Sequence, residues 1–421
     1  MLWSRRPPIW RWAILVWTVA ILGVLGRVAL APLTSQSVVP IYLAAAHRWA
    51  TGHDLYAPYF LRDQADVYRY PPAFAACFFP FTTMPPRIAA ILWRLLSVGV
   101  FLSGLSVWTR QALRLTSRHR AVVFTLAAPL VLPSLNNGQT NLILIGLLLH
   151  GTAAAIRDRT TWAGLYLAAA TSIKLYPAAV VMLLACAGRL RVVLTSSLAL
   201  AALAAIPLMV QPQTALEHYR QFVQAKQVEN RRHGDYQDPP RDLYWVLRTY
   251  FTAPSDELYS GIVLVAAAVM AVCVVVVSRR SDDLRLAAVL AFDLGCVWMT
   301  VFGPATEPAT YTLLAPTAAG AVVQTWPNRW RFPVAMLGYV LLAAPIVRDF
   351  FPNGRSFHAL GPHPIGGLLI LAAQLAVVVA AIRSQPGPIT QQLPSDVRMG
   401  GRCDPGLDRQ RFTRLPNESS E

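Results

Sequence analysis

The residues of this chain that could do chemistry are polar side chains set between long apolar blocks. Of the carboxylates in the connections, three are the candidates for chemistry: Asp54, Asp66 and Glu307. A carboxylate at a bilayer surface can serve as general base for a sugar hydroxyl. With Arg62 and Arg69 close to the first-loop acids, plain surface ion pairing is the competing reading of those positions. Glu307 precedes Pro308, where an acid can also cap a helix N-terminus through the helix dipole. Lys174 lies in Ala170-Thr171-Ser172-Ile173-Lys174-Leu175-Tyr176-Pro177, with apolar sequence on both sides. A lysine at membrane depth is costly, so it marks either a functional site or a side chain reaching back to the interface. Its natural partner near the headgroups is a phosphate. The run Asn136-Asn137-Gly138-Gln139-Thr140-Asn141 holds four side-chain amides in six residues. Amides cap helices, but Asn137, Gln139 and Asn141 together exceed what capping needs, and amides that donate and accept suit sugar hydroxyls.

The elements that must position these groups are membrane helices. The chain has 421 residues, is 55% hydrophobic and only 14% charged, against roughly 25% charged residues in soluble proteins. Its apolar residues come in blocks, such as 141–156, 192–210, 262–277 and 365–382. These approach the ~20 residues that cross a bilayer, where backbone polar groups must be satisfied within the segment. The expected fold is therefore an all-α polytopic membrane protein. Twelve spans are expected: 12–31, 87–108, 120–135, 140–156, 160–173, 175–188, 192–210, 259–278, 284–302, 309–325, 332–348 and 364–382. The fifth and sixth are short enough to be one broken or re-entrant pair. The formal net charge of +16 does not point to nucleic acid. The arginines sit singly or in small clusters at the ends of apolar blocks, and only Lys174 and Lys226 are lysine. Five scattered cysteines give neither ligand spacing nor a disulfide framework, so structural zinc is not expected, and the sequence gives no sign of a bound cofactor.

With an uncleaved first helix and a cytoplasmic N-terminus, every expected cytoplasmic connection is basic, from Arg110–Arg120 to Arg329 and Arg331. The other side then receives two long loops, 33–85 and 211–259. It also receives the amide turn, the Lys174 break and the Gly303–Pro308 turn. The first loop is the richest stretch of the chain, with Tyr42, His47, Trp49, His53, Asp54, Tyr56, Asp66 and Tyr68-Arg69-Tyr70-Pro71-Pro72. Residues 41–50 can form a short amphipathic helix there. Residues 217–232 form a second amphipathic segment at the interface. Residues 1–383 read as one transmembrane domain, and the Pro/Gln/Gly/Ser-rich tail 384–421 as a disordered cytoplasmic extension.

Several stretches resemble glycosyltransferase family 87, a group of GT-C-type polytopic enzymes that includes phosphatidylinositol mannosyltransferases. They are Gly52-His53-Asp54-Leu55-Tyr56, Tyr70-Pro71-Pro72 with Pro80 and Pro85 behind it, Asn137-Gly138-Gln139-Thr140-Asn141, and Lys174 with Pro177. They cover roughly residues 35–190 in the family's order, and a weaker likeness runs from Gly303 to Pro316. The resemblance implies inverting transfer of a hexose, often mannose, from a polyprenyl-phosphate sugar to a lipid or glycan acceptor. Transfer would occur on the non-cytoplasmic face of what is expected to be a bacterial plasma membrane, with neither nucleotide sugar nor metal. It implies a first-loop Asp as base and Lys174 with nearby arginines, Arg62 and Arg69, on the donor phosphate. Tyr70, Tyr176 and the amides would line the substrate. The family places its Asp some four residues before a Tyr early in the first loop. Here Gln36, Ser37, Val38, Val39 and Pro40 precede Tyr42, and none is acidic. The base would then be Asp54, Asp66 or Glu307. The competing readings are a catalytically inactive lipid-binding relative and a transporter or flippase.

Overall fold

The computed structural model describes residues 9–35, 37–61, 64–228, 241–281, 283–303, 306–346 and 354–383. Arg62, Asp63, Pro304, Ala305, the acids Asp235 and Asp238, and the tail from 384 lie outside the described residues. Helix α1 (Ile9–Leu30) leads into the first long connection. This holds α2 (Val39–Thr51), the strands β1 (Tyr59–Leu61) and β2 (Gln64–Asp66), α3 (Pro72–Phe78) and a 3-10 turn (Phe79–Thr83). Then come α4 (Pro86–Gln111), α5 (Ser117–Asn137), α6 (Asn141–Ile156), α7 (Thr160–Ile173), α8 (Ala178–Cys186) and α9 (Leu190–Val210). The second long connection carries α10 (Pro212–Val228) and α11 (Leu243–Tyr250). It is followed by α12 (Asp256–Arg280), α13 (Leu284–Val301), a 3-10 segment (Pro308–Leu314) continuing into α14 (Ala315–Thr325), α15 (Arg331–Ala343), α16 (Gly354–Ala359) and α17 (Pro362–Arg383).

Each expected span falls on a helix, but six of these helices are long and apolar enough to cross a bilayer: α1, α4, α9, α12, α13 and α17. Helix α8 has nine residues and rises about 13 Å at 1.5 Å per residue, well short of ~30 Å of hydrocarbon. The break between α7 and α8 is where the sequence is least regular, at Lys174–Pro177. Among the described residues β1 and β2 are the only strands, an antiparallel hairpin pairing Tyr59 with Asp66, confined to the first connection.

Burial separates inner from outer helices. In α13, 78% of the apolar window is buried, against 17% in α9 and in α12, whose Leu194, Leu198, Leu264 and Val272 face outward as lipid-exposed residues do. Helices α4 and α6 approach closely through glycine. A Cβ on Gly104 would lie 2.6 Å from the Gly146 carbonyl oxygen, so only small residues permit this contact. The connections sort to two ends of the bundle. At one end Trp10 donates to Ser117 Oγ, Arg285 donates to the Ala112 carbonyl at 2.7 Å, and Arg189 pairs with Asp158. At the other end Val38 N donates to Asn137 O, and Asn141 reaches Ala309. The basic turns thus gather at one end, and the long connections at the other.

Candidate functional site

The site is built on the turn between α5 and α6. Helix α5 ends on Gly138, whose φ of +67° is left-handed. A Cβ there would also meet Val39 Cγ2 at 2.8 Å and Arg94 Cζ at 3.0 Å, so both conformation and space require glycine. Neighbouring side chains hold the turn. Trp93 Nε1 donates to Gly138 O at 2.8 Å. Arg94, only 1% exposed, donates to Leu135 O, Ala90 O, Asn136 O and Ser37 Oγ. Arg27 donates to Asn136 Oδ1 at 2.7 Å. A buried guanidinium is tolerable only when its donors are met in this way. Sequence reasoning missed Arg94. Its signal was a charge inside the apolar block 87–108.

From this turn a chain of polar contacts crosses to three other segments. Asn141, fully buried at the start of α6, donates Nδ2 to Gln139 Oε1 at 2.7 Å and to Ala309 O at 3.1 Å. Its Oδ1 accepts from Lys174 Nζ at 2.9 Å and from the Tyr176 hydroxyl at 3.4 Å. Gln139 Nε2 donates to Glu307 Oε2 at 2.9 Å. The amides therefore are not spent on capping α6, whose cap residue Thr140 makes no side-chain capping bond either. Nor does the Glu307 side chain cap the 3-10 segment that it precedes. Lys174, extended at the end of α7, has its ammonium 5.4 Å from the ring centroids of both Tyr70 and Tyr176. Glu307, Lys174 and Tyr176 are half-buried, which leaves them within reach of a substrate.

Tyr70 ties the first connection to this chain. Its hydroxyl lies 2.8 Å from that of Tyr42 and accepts from Thr140 Oγ1 at 3.5 Å. Behind it Tyr42 is edge-on to Phe74, Phe78 and Trp93, which fixes α2 and α3 against α4. Pro71 is extended and Pro72 opens α3, so this pair leads into a short helix before the span rather than into the span itself. Burial pushes the Tyr42 and Tyr70 phenols up, and the Tyr70 value is raised further by the nearby Glu307 carboxylate. Burial is also the main cause of the raised Tyr176 phenol, with Tyr70 and Glu307 adding to it. All three are neutral phenols at neutral pH.

The other sequence candidates stand apart from this chain. Asp54 is exposed and accepts from Tyr56 N in a local turn. Asp66 pairs with Arg69 at 2.6 Å, three residues on, and accepts from Val67 N. Asn137 contributes its carbonyl, which holds Val38. Arg62 lies outside the described residues. Among the described residues no group of three or more His, Cys, Asp or Glu side chains gathers to hold a metal ion.

The chain resembles in structure the apo crystal structure of ArnT from Cupriavidus metallidurans, at 13% identity and a TM-score of 0.39, covering 88% of this chain and 77% of that one. No curated protein sequence matches it. The model of glycosyltransferase family 87 matches residues 68–304, more than half of the chain. That match takes in Tyr70, the amide turn, Lys174 and Tyr176 and stops three residues before Glu307. The chain is a membrane protein of glycosyltransferase family 87.

Proposed function

We propose that this membrane glycosyltransferase moves a hexose, mannose in the first instance, from a polyprenyl-phosphate sugar to a lipid or glycan acceptor at the end of the bundle that carries the long connections, and that this end is non-cytoplasmic. The observation that carries the reading is the relay Glu307–Gln139–Asn141–Lys174, which sets a carboxylate and an ammonium on one connected frame. Lys174 receives the donor phosphate and Glu307 the acceptor proton. The acceptor oxygen attacks the anomeric carbon as its proton passes to Glu307. The anomeric carbon–oxygen bond breaks, and the polyprenyl phosphate leaves with both electrons onto an oxygen facing Lys174. Attack opposite the leaving group inverts the anomeric centre. Membership of Glu307 in the relay favours it over Asp54 and Asp66 as base, because both aspartates are engaged locally.

The test is transfer from radiolabelled polyprenyl-phosphate mannose to a lipid extract of the host by purified protein. Loss of a general base costs on the order of 10²–10⁴ in rate, and that is the drop expected for Glu307→Gln. Asp54→Asn and Asp66→Asn are expected to stay near wild type. Full activity in Glu307→Gln, or collapse in Asp54→Asn alone, would overturn the assignment. A second reading is donor binding without turnover. Its motive is that Ser37, ahead of Tyr42 where the family resemblance calls for an acid, is instead a hydrogen-bond acceptor for Arg94. It expects Lys174-dependent donor binding and no transfer by the wild type.

A further inference from the structure

At the end of the bundle opposite the candidate site, a cavity of about 230 Å³ opens between α4, α6 and α7, lined by Gln111, His150, Arg157, Arg159, Trp162 and Tyr166 among others. The α6–α7 turn arranges its charges unequally. Asp158 adopts a left-handed backbone, φ +56°, and turns its carboxylate to Arg189 of the α8–α9 turn. That removes the one acid of the turn from the two arginines beside it. Arg157 and Arg159 are exposed, border the cavity, and pair with no carboxylate among the described residues. His150 Nε2 is held by Ser103 Oγ at 3.0 Å, and its ring stacks on Tyr166. Trp162 is 57% exposed beside Tyr166, on the same outward side of α7 as the exposed Leu165. The cavity therefore has a cationic rim, an aromatic wall of Trp162 and Tyr166, residue types enriched where a membrane meets water, and an outward apolar approach.

We infer that this cavity is a binding site for the phosphodiester headgroup of an anionic phospholipid. Its acyl chains would run along the outer faces of α4 and α7, and Arg157 and Arg159 would hold the phosphate. Basic pockets between transmembrane helices at the headgroup level take lipids of this charge. The occupant is a lipid rather than a soluble phosphate because the exposed Trp162 lines the cavity and the exposed Leu165 continues its apolar face along α7, a surface that acyl chains can cover.

The test uses the full chain, purified and delipidated in neutral detergent. Thermal unfolding is followed while phosphatidylglycerol, cardiolipin, phosphatidylcholine or inorganic phosphate is titrated in. The anionic lipids are expected to raise Tm well beyond phosphatidylcholine, and phosphate to do nothing. In Arg157→Gln/Arg159→Gln the lipid concentration giving the half-maximal shift is expected to rise on the order of 30-fold. Arg279→Gln/Arg280→Gln, at the α12–α13 turn, keeps the wild-type response. Equal shifts by phosphatidylcholine and phosphatidylglycerol, an unaltered titration in the Arg157/Arg159 variant, or a full shift by phosphate alone would each overturn the inference. A second measurement needs no arginine change. Brominated phosphatidylglycerol is expected to quench the Trp162 emission, read as wild type minus Trp162→Phe, more than brominated phosphatidylcholine does; equal quenching would sink the idea.

Discussion

Asn141 uses both ends of its amide, and each end belongs to a different task. The oxygen receives Lys174 and Tyr176, while the nitrogen serves Gln139 and Ala309. Asn141→Ala is expected to strand the Gln139 and Ala309 acceptors at about 1–3 kcal/mol for each buried group left unmet, read as a fall in Tm, with transfer lost as well. Asn141→Asp separates the two tasks. It keeps an acceptor for Lys174 but puts a negative charge against it and against two oxygen acceptors, so donor binding should weaken more than the alanine change alone explains. The polar members of this relay were legible because each interrupts apolar sequence at a break: Gln139, Asn141, Lys174, Tyr176 and Glu307. Their pairing was not legible, because Gln139 and Glu307 lie 168 positions apart and nothing local chooses between capping and tertiary bonding. Arg94 was hidden for the opposite reason. Its four acceptors come from another helix end, from Ser37 and from its own helix, so its burial is a tertiary fact.

Helix α10 shows how an external element is fastened. It docks on the first connection through His218 Nε2 near His53 O at 3.1 Å and Phe222 beside Tyr56, and Gln211, just before it, donates to Ala50 O. The amphipathic pattern placed this helix from residue 217; it begins at Pro212, where proline suits a first turn. Burial lowers the His218 value, against the opposing pull of the His53 carbonyl, Asp54 and Glu217. A depressed histidine favours the neutral ring when folded. Its contribution is therefore whole above the ordinary histidine value and fades as pH falls through the lowered one. Protection of the α10 amides, corrected for the intrinsic exchange rate, should fall below about pH 6.5, the ordinary histidine value, and His218→Gln should flatten that dependence. The α5–α6 turn makes the matching prediction for rigid geometry. Gly138→Ala is expected to cost roughly 1–3 kcal/mol from its left-handed backbone, plus displacement of Val39 or Arg94, measured as a lower Tm with the spans intact.

Across the whole molecule, the class was plain in the sequence and the crossing number was not. Blocks near twenty residues name a helix, but at α8 a nine-residue helix after a proline satisfies the same composition without the length. Parity is testable without counting. In a cysteine-free background, His53→Cys should react with a membrane-impermeant maleimide in intact cells, and Arg280→Cys only after lysis. The reverse order, or equal labelling, would contradict the proposed orientation. The bond from Gln139 to Glu307 has a further consequence, in the order of manufacture. A ribosome adding about 5–20 residues per second needs roughly 8–34 seconds to travel those 168 positions. For that interval Gln139 waits at the membrane face without the carboxylate that completes the relay. The site is therefore closed by one of the last segments to be inserted, and a chain stalled before Glu307 has most of its helices but no completed relay.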